Sequence, residues 1–166
     1  MSAEISEVST DGELERVAVL ADQIWHECFE GIISTGQIDY MIEKFQSYGA
    51  MKDQIQNQGY TYFSVTDNGR LCGYFAVKAE SDSRLFLSKL YLEKNSRGKG
   101  ISSEMFARVF SEAEKYGKKS VYLTVNKHND RAVEVYRHKG FQLADSVVTD
   151  IGNGYVMDDF IFEYKL

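Results

Sequence analysis

The stretch that decides the fold runs from Leu85 to Ala113, and its centre reads Asn95-Ser96-Arg97-Gly98-Lys99-Gly100-Ile101-Ser102-Ser103. An apolar segment leads into it and an amphipathic one follows, with Met105, Phe106, Val109, Phe110 and Ala113 on one side. The segment therefore reads as strand, glycine loop and helix. A helix start leaves backbone N–H groups unbonded and carries partial positive charge, and the two glycines let that backbone approach a guest with no Cβ in the way. A phosphate suits such a loop. Two common phosphate loops are excluded: a P-loop needs a Gly where this chain has Glu93 and a Ser or Thr where it has Gly100. The dinucleotide fingerprint fails because Gly98-x-Gly100 is followed by Ser103.

A second block lies downstream, with Val121-Tyr122-Leu123-Thr124-Val125 leading into Asn126-Lys127-His128-Asn129-Asp130-Arg131-Ala132, then Tyr136 and Gly140-Phe141. Asn129 is a good N-cap, Ala132 and Tyr136 share a helix face, and Gly140 suits the left-handed position after a helix. The two blocks together resemble the GNAT family of N-acetyltransferases. Asn95, Gly98 and Gly100 fall on its Q/R-x-x-G-x-G/A motif, and the second block on N-x-x-A-x-x-x-Y-x-x-x-G-F. Asn95 departs from the usual Gln or Arg, which touches one side-chain contact and leaves the backbone cradle intact.

The resemblance implies an α/β (α+β) fold with a mixed central sheet of about seven strands and about four helices. The strands near 84–93 and 119–125 would be parallel neighbours that splay apart, and the cosubstrate would be acetyl-CoA. By the same resemblance the backbone of Arg97, Gly98, Lys99, Gly100, Ile101, Ser102 and Ser103 would hold its pyrophosphate, and Asn129 would be a further cofactor-binding residue. The backbone of Leu90, Tyr91 and Leu92 would pair with the pantetheine arm.

Composition fits a small enzyme. A chain of 166 residues spans one ordinary domain, 1–166, and its 43% apolar content with 11 Tyr and 10 Phe argues against disorder. No apolar run resembles a signal peptide or a membrane span, so a cytoplasmic location without membrane partners is expected. Cys28 and Cys72 are the only cysteines, too few for a disulfide framework or a cysteine metal cluster, and no metal is expected. A net charge of −6 speaks against nucleic acid and mildly favours a cationic small molecule or basic peptide.

Residues 3–9 read as a first strand, and Asp11 as the cap of a helix to Phe29 with Leu14, Val17, Leu20 and Ile24 inward. Short helices are expected over 37–45 and 47–58. Asp67-Asn68-Gly69-Arg70 marks a hairpin between 60–66 and 71–79. The segment 84–93 breaks alternation at Ser88, which a bulge would explain. A helix over 102–116, a strand over 119–125, a helix over 129–139 and strands over 141–150 and 155–164 complete the order. The aromatic-rich last strand could form a core face or a homodimer seam.

Amide transfer from a thioester requires a base for the ammonium, a donor for the oxyanion and an acid for the leaving sulfur. The resemblance makes Tyr136 the acid, and the strand N–H of Leu92 could serve the oxyanion. The base stays open: the first motif strand offers Arg84, Ser88 and Lys89 before Glu93, while His26 and Glu27 lie on the first helix, and a water chain would also serve. Trp25, Asp158 and Asp159 are candidate acceptor contacts. The N-terminal half is loosely similar to bacterial spermidine/spermine acetyltransferases, which makes a small primary amine such as a polyamine the expected acceptor. A peptide N-terminus or lysine is the alternative, as is a silent acyl-CoA-binding sensor.

Overall fold

The computed structural model describes residues 3–166, so the expected domain span begins two residues outside it. Its strands are β1 (Glu4–Glu7), β2 (Tyr60–Asp67), β3 (Arg70–Ala79), β4 (Arg84–Leu92), β5 (Ser120–Asn126), β6 (Gln142–Gly152) and β7 (Tyr155–Lys165). They form one mixed sheet in the order β1-β2-β3-β4-β5-β7-β6. The helices are α1 (Asp11–Phe29), α2 (Thr35–Met41), α3 (Tyr48–Asn57), α4 (Ile101–Lys115) and α5 (Asp130–His138), with a π-helical turn at Ile42–Gln46.

Local chemistry sets the element ends. Thr10, not Asp11, caps α1, because Thr10 and Glu13 form a reciprocal capping box that occupies the N-terminal amides. Ser34 caps α2, which starts at Thr35, two residues ahead of the expected start, and Ser47 caps α3. Asn68 and Gly69 take positive φ of 54° and 79°, which a two-residue hairpin of right-handed twist requires. Asn129 caps α5 by accepting from the Ala132 amide at 3.3 Å. Gly140 follows α5 with φ of 100°.

Two helical layers cover the sheet. Ile101, Met105, Phe106 and Val109 of α4 pack with Phe63, Phe75, Leu85, Leu87, Val121 and Phe162 on one face. On the other, Leu14, Val17, Ile24 and Met51 pack with Tyr62 and Tyr74. The last strand supplies a core face: β7 lies between β5 and β6, with Phe162 fully buried. The edge strands are β1 and β6.

The bulge expected in β4 is present. Ala76 pairs with Lys89 and Val77 with Leu87, which leaves Ser88 without a partner on β3. The extra residue reverses the parity, so Leu85 and Leu87 before it and Leu90 and Leu92 after it all pack on the α4 side. Lys89 and Tyr91 are turned toward α1 and α3.

Candidate active site

β4 and β5 are parallel but pair only at Arg84↔Ser120, Leu85↔Val121 and Phe86↔Tyr122. Beyond Phe86 each strand is held solely by its outer neighbour, β4 by β3 and β5 by β7, so the sheet opens. A cavity of about 680 Å³ fills the opening and passes between the two helical layers. Leu90, Leu92, Thr124, Val125 and Asn126 form its strand walls.

Backbone alternation decides what β4 offers. Glu93 donates its N–H to Cys72 O on β3 at 2.9 Å, while Leu92 O accepts from Arg97 Nε at 3.2 Å. Successive residues face opposite edges, so the N–H groups of Leu92 and Leu90 face the gap and the backbone of Tyr91 faces β3. Tyr91 therefore lines the site with its ring and not with its amide. Gly73 lets β3 run this close, since a Cβ there would stand 2.7 Å from Tyr91 O.

The glycine loop sits at the mouth. Gly98 and Gly100 have φ of 79° and 81°, and a Cβ at either would meet nothing within 4 Å. Gly100 gives α4 no side-chain cap, leaving the first amides of the helix free. Arg97, Gly98, Ser102 and Asn129 line the cavity, with Lys94 and Arg131 beside them. Arg131 is pushed below the usual guanidinium range by burial and by the neighbouring Arg97. Lys99 is exposed and turned toward Asp67, Ser103 bonds Lys139, and Ile101 is buried in the core.

Tyr136 enters from α5, its ring set edge-on to Phe106 and Phe141. Burial raises its hydroxyl well above the ordinary range, so it stays protonated and able to donate. Across the gap, Trp25 stacks on Phe29 at 4.4 Å and meets Tyr91 at 5.7 Å. Met41, Phe45 and Met157 extend this aromatic chamber.

The candidate bases separate. His26 is turned outward, its Nε2 3.3 Å from Asp39 and 3.5 Å from Asp22. Glu93 is buried away from the cavity, where it holds Arg70 and accepts from Ser96 Oγ at 3.0 Å. Glu27 stands exposed on the cavity rim and bonds Gln23. Asp158 lies outside the cavity with Lys127 at 2.9 Å, while Asp159 lines it and is 5% exposed. Burial and the Asp158 charge push Asp159 up to about 6.

Lys89 is the residue that sequence reasoning passed over as a base. It lines the chamber floor, 5% exposed, and its Nζ donates to Phe45 O, Gln54 Oε1 and the Tyr62 hydroxyl. Burial lowers it to about 7. Gln54 and Gln46, which accept from Tyr62 and Tyr74, complete a buried polar floor. Among the described residues no group of three or more His, Cys, Asp or Glu could hold a metal, and no helix is long and apolar enough to cross a membrane.

A half-open mixed sheet, with an uncapped helix N-terminus at the mouth of the gap and a tyrosine inside it, defines the N-acyltransferase class. The acetyltransferase (GNAT) domain matches residues 20–156, and the chain belongs to that family. It is 33% identical over 94 residues to an uncharacterized N-acetyltransferase of Mycobacterium bovis, covering 54% of this chain and 60% of that protein. It is 31% identical over 62 residues to the probable spermine N(1)-acetyltransferase of Bacillus subtilis subsp. natto, covering 37% of this chain and 41% of that one. These matches thus span less than two thirds of either relative. The crystal structure of the PaiA N-acetyltransferase from Thermoplasma acidophilum in complex with coenzyme A superposes with a TM-score of 0.83 at 24% identity, over all of both chains.

Proposed function

We propose that the protein transfers the acetyl group of acetyl-CoA to the primary amine of a small molecule by direct attack within a ternary complex. The observation that carries this reading is the single cavity that joins the uncapped α4 terminus and Tyr136 to the aromatic chamber through the splayed sheet. Acetyl-CoA supplies the activated acyl carbon and a sulfur leaving group. The open cradle at Gly98 and Gly100, the free amides of Ile101 to Ser103 and the paired Arg97 and Arg131 suit its phosphates. The gap-facing edge of Leu90 and Leu92 suits an extended arm, and the Leu92 N–H would meet charge developing on the carbonyl oxygen. Tyr136, protonated by its burial, would hand a proton to the departing sulfur.

For the acceptor, the chamber offers aromatic faces and the carboxylate of Asp159, and Glu27 and Asp130 also line the cavity. This favours an amine with an apolar body. A polyamine is the first class to test, in keeping with the relative from Bacillus subtilis, and Lys89 on the floor would repel a second deep ammonium. Mass-spectrometric detection of acetyl transfer to pooled polyamines, amino acids, aminoglycosides and short peptides tests the proposal, with Tyr136→Phe in parallel. A product in a small-amine pool, lost in the variant, is expected. Turnover on peptides alone would move the acceptor to proteins, and CoA binding with no product in any pool would make this a sensor.

A further inference from the structure

Two adjacent carboxylates on β7 have opposite surroundings. Asp158 faces outward and meets Lys127 at 2.9 Å. Asp159, opposite Asn126 of β5 and Val147 of β6, shares a face with Tyr155 and Met157, which pack against the cluster of Trp25 and Phe29. The residue as a whole is 5% exposed, it lines the cavity, and no described residue hydrogen-bonds its carboxylate. An unpaired buried carboxylate is costly, and a fold keeps one where a ligand completes it.

We propose that Asp159 receives the acceptor's ammonium in the chamber and takes one of its protons, acting as the base of the reaction. The inference rests on the amine-acetylating reading above. The chemistry balances: an N–H bond of the ammonium breaks and an O–H bond forms on Asp159, freeing the nitrogen pair to attack the acyl carbon. The C–N bond forms and the C–S bond breaks. Tyr136 protonates the sulfur and recovers the second nitrogen proton, and Asp159 releases its own to solvent after product leaves. Burial favours the first step, because it turns an ion pair into two neutral groups where charge is poorly solvated.

The same desolvation places Asp159 at about 6. Asp158 on its own strand, Lys127 after β5 and Tyr91 from β4 act on it directly, while Lys89 from β4, Glu27 from α1 and Asp130, Arg131 and Tyr136 from α5 line the same cavity. Asp158 raises Asp159 and Lys127 lowers it. Lys89 titrates near 7, also within the working range, so a pH profile must be assigned by substitution.

The experiment measures kcat/KM from pH 5 to 9 (roughly the range flanking both groups) on an amine that the wild-type protein acetylates, for Asp159→Asn and Asp158→Asn. Binding of CoA by calorimetry and Tm accompany each. The base must be ionised, so wild-type kcat/KM should fall as pH drops through about 6. Asp159→Asn should lose that limb and about 100-fold or more in kcat/KM, with CoA affinity unchanged. Its Tm at neutral pH should rise, because an unpaired buried charge has gone; removing a structural carboxylate would lower it. Asp158→Asn should retain the limb, moved to lower pH. An Asp159→Asn protein with wild-type kcat/KM and the same limb overturns the assignment and leaves the transferase reading standing. A wild-type protein that acetylates no amine overturns the transferase reading and this inference with it.

Discussion

Arg97 lays its guanidinium against Cys28, with Nη2 3.2 Å from Sγ, while its Nε holds Leu92 O at 3.2 Å. One side chain thus joins the glycine loop, the open edge of β4 and helix α1 at the point where both halves of the cavity meet. Its neighbour Arg131 carries a like charge, and burial together with Arg97 holds Arg131 below the usual guanidinium range. Two adjacent guanidiniums repel until an anion sits between them. Arg97→Ala should therefore weaken CoA by roughly tenfold or more, the value of one charge-assisted hydrogen bond. Calorimetric titration with CoA measures this, and the loss should shrink as salt is raised.

Tyr136 supplies a proton and little binding. Tyr136→Phe keeps the ring against Phe106 and Phe141, so the protein should fold as before and bind CoA within about twofold, whereas kcat should fall by about 100-fold, as expected for the loss of a general acid. Burial holds the hydroxyl above its ordinary range, so no limb belonging to this residue should appear below pH ~10. An undiminished kcat in single-turnover measurements would remove Tyr136 from the chemistry.

Gly98 and Gly100 separate backbone strain from ligand contact. An alanine at either would adopt a positive φ, costing about 1–2 kcal/mol of stability, and would meet no protein atom within 4 Å. CoA should be weakened by more than the stability loss accounts for, since the added methyl group enters the space of the guest. Thermal unfolding with and without saturating CoA reads the two effects separately.

The loop, the crossover helix and the hairpin were legible because each is written in local chemistry: Gly98 and Gly100, the apolar stripe from Met105 to Ala113, and Asn68-Gly69. The chamber was not. Lys89 stands in an apolar strand whose alternation is broken at Ser88, and only the pairing with β3 shows that the bulge turns Lys89 inward beneath Gln54 and Tyr62. Asp158 and Asp159 are equivalent in a sequence. Which one faces α1 depends on the register of β7 between β5 and β6, including the irregularities at Ala144 and Ile151. Glu93 read as a free carboxylate at a strand end because its partner Arg70 is 23 residues away, across the hairpin.

That pairing gives Glu93 a structural role. Glu93→Gln should leave kcat within about threefold of wild type, since the side chain does not reach the cavity, and should lower stability by about 1–2 kcal/mol. The figure is kept low because Arg70 is 65% exposed and water screens the pair. Chemical denaturation measures the cost, and a large loss of kcat with intact stability would return Glu93 to the list of bases.

Lys89 makes the final prediction, and its sign follows from burial. The folded protein holds this ammonium near 7 against 10.5 for a free side chain, so between those values the unfolded chain binds the proton more tightly. The charged form is a burden below pH 7, and the burden lifts as pH rises through the window from 7 to 10.5. In that window Lys89 should add up to about 1.4 kcal/mol of stability per pH unit. Lys89→Met removes the proton but leaves Phe45 O, Gln54 and Tyr62 short of a donor. The variant should therefore compare best with wild type near pH 6, where the buried charge costs most, and fall progressively behind it toward pH 9. Denaturant unfolding of both proteins across that range reads the slope directly, and parallel curves would mean that Lys89 stays charged in the fold and that its three acceptors compensate its burial.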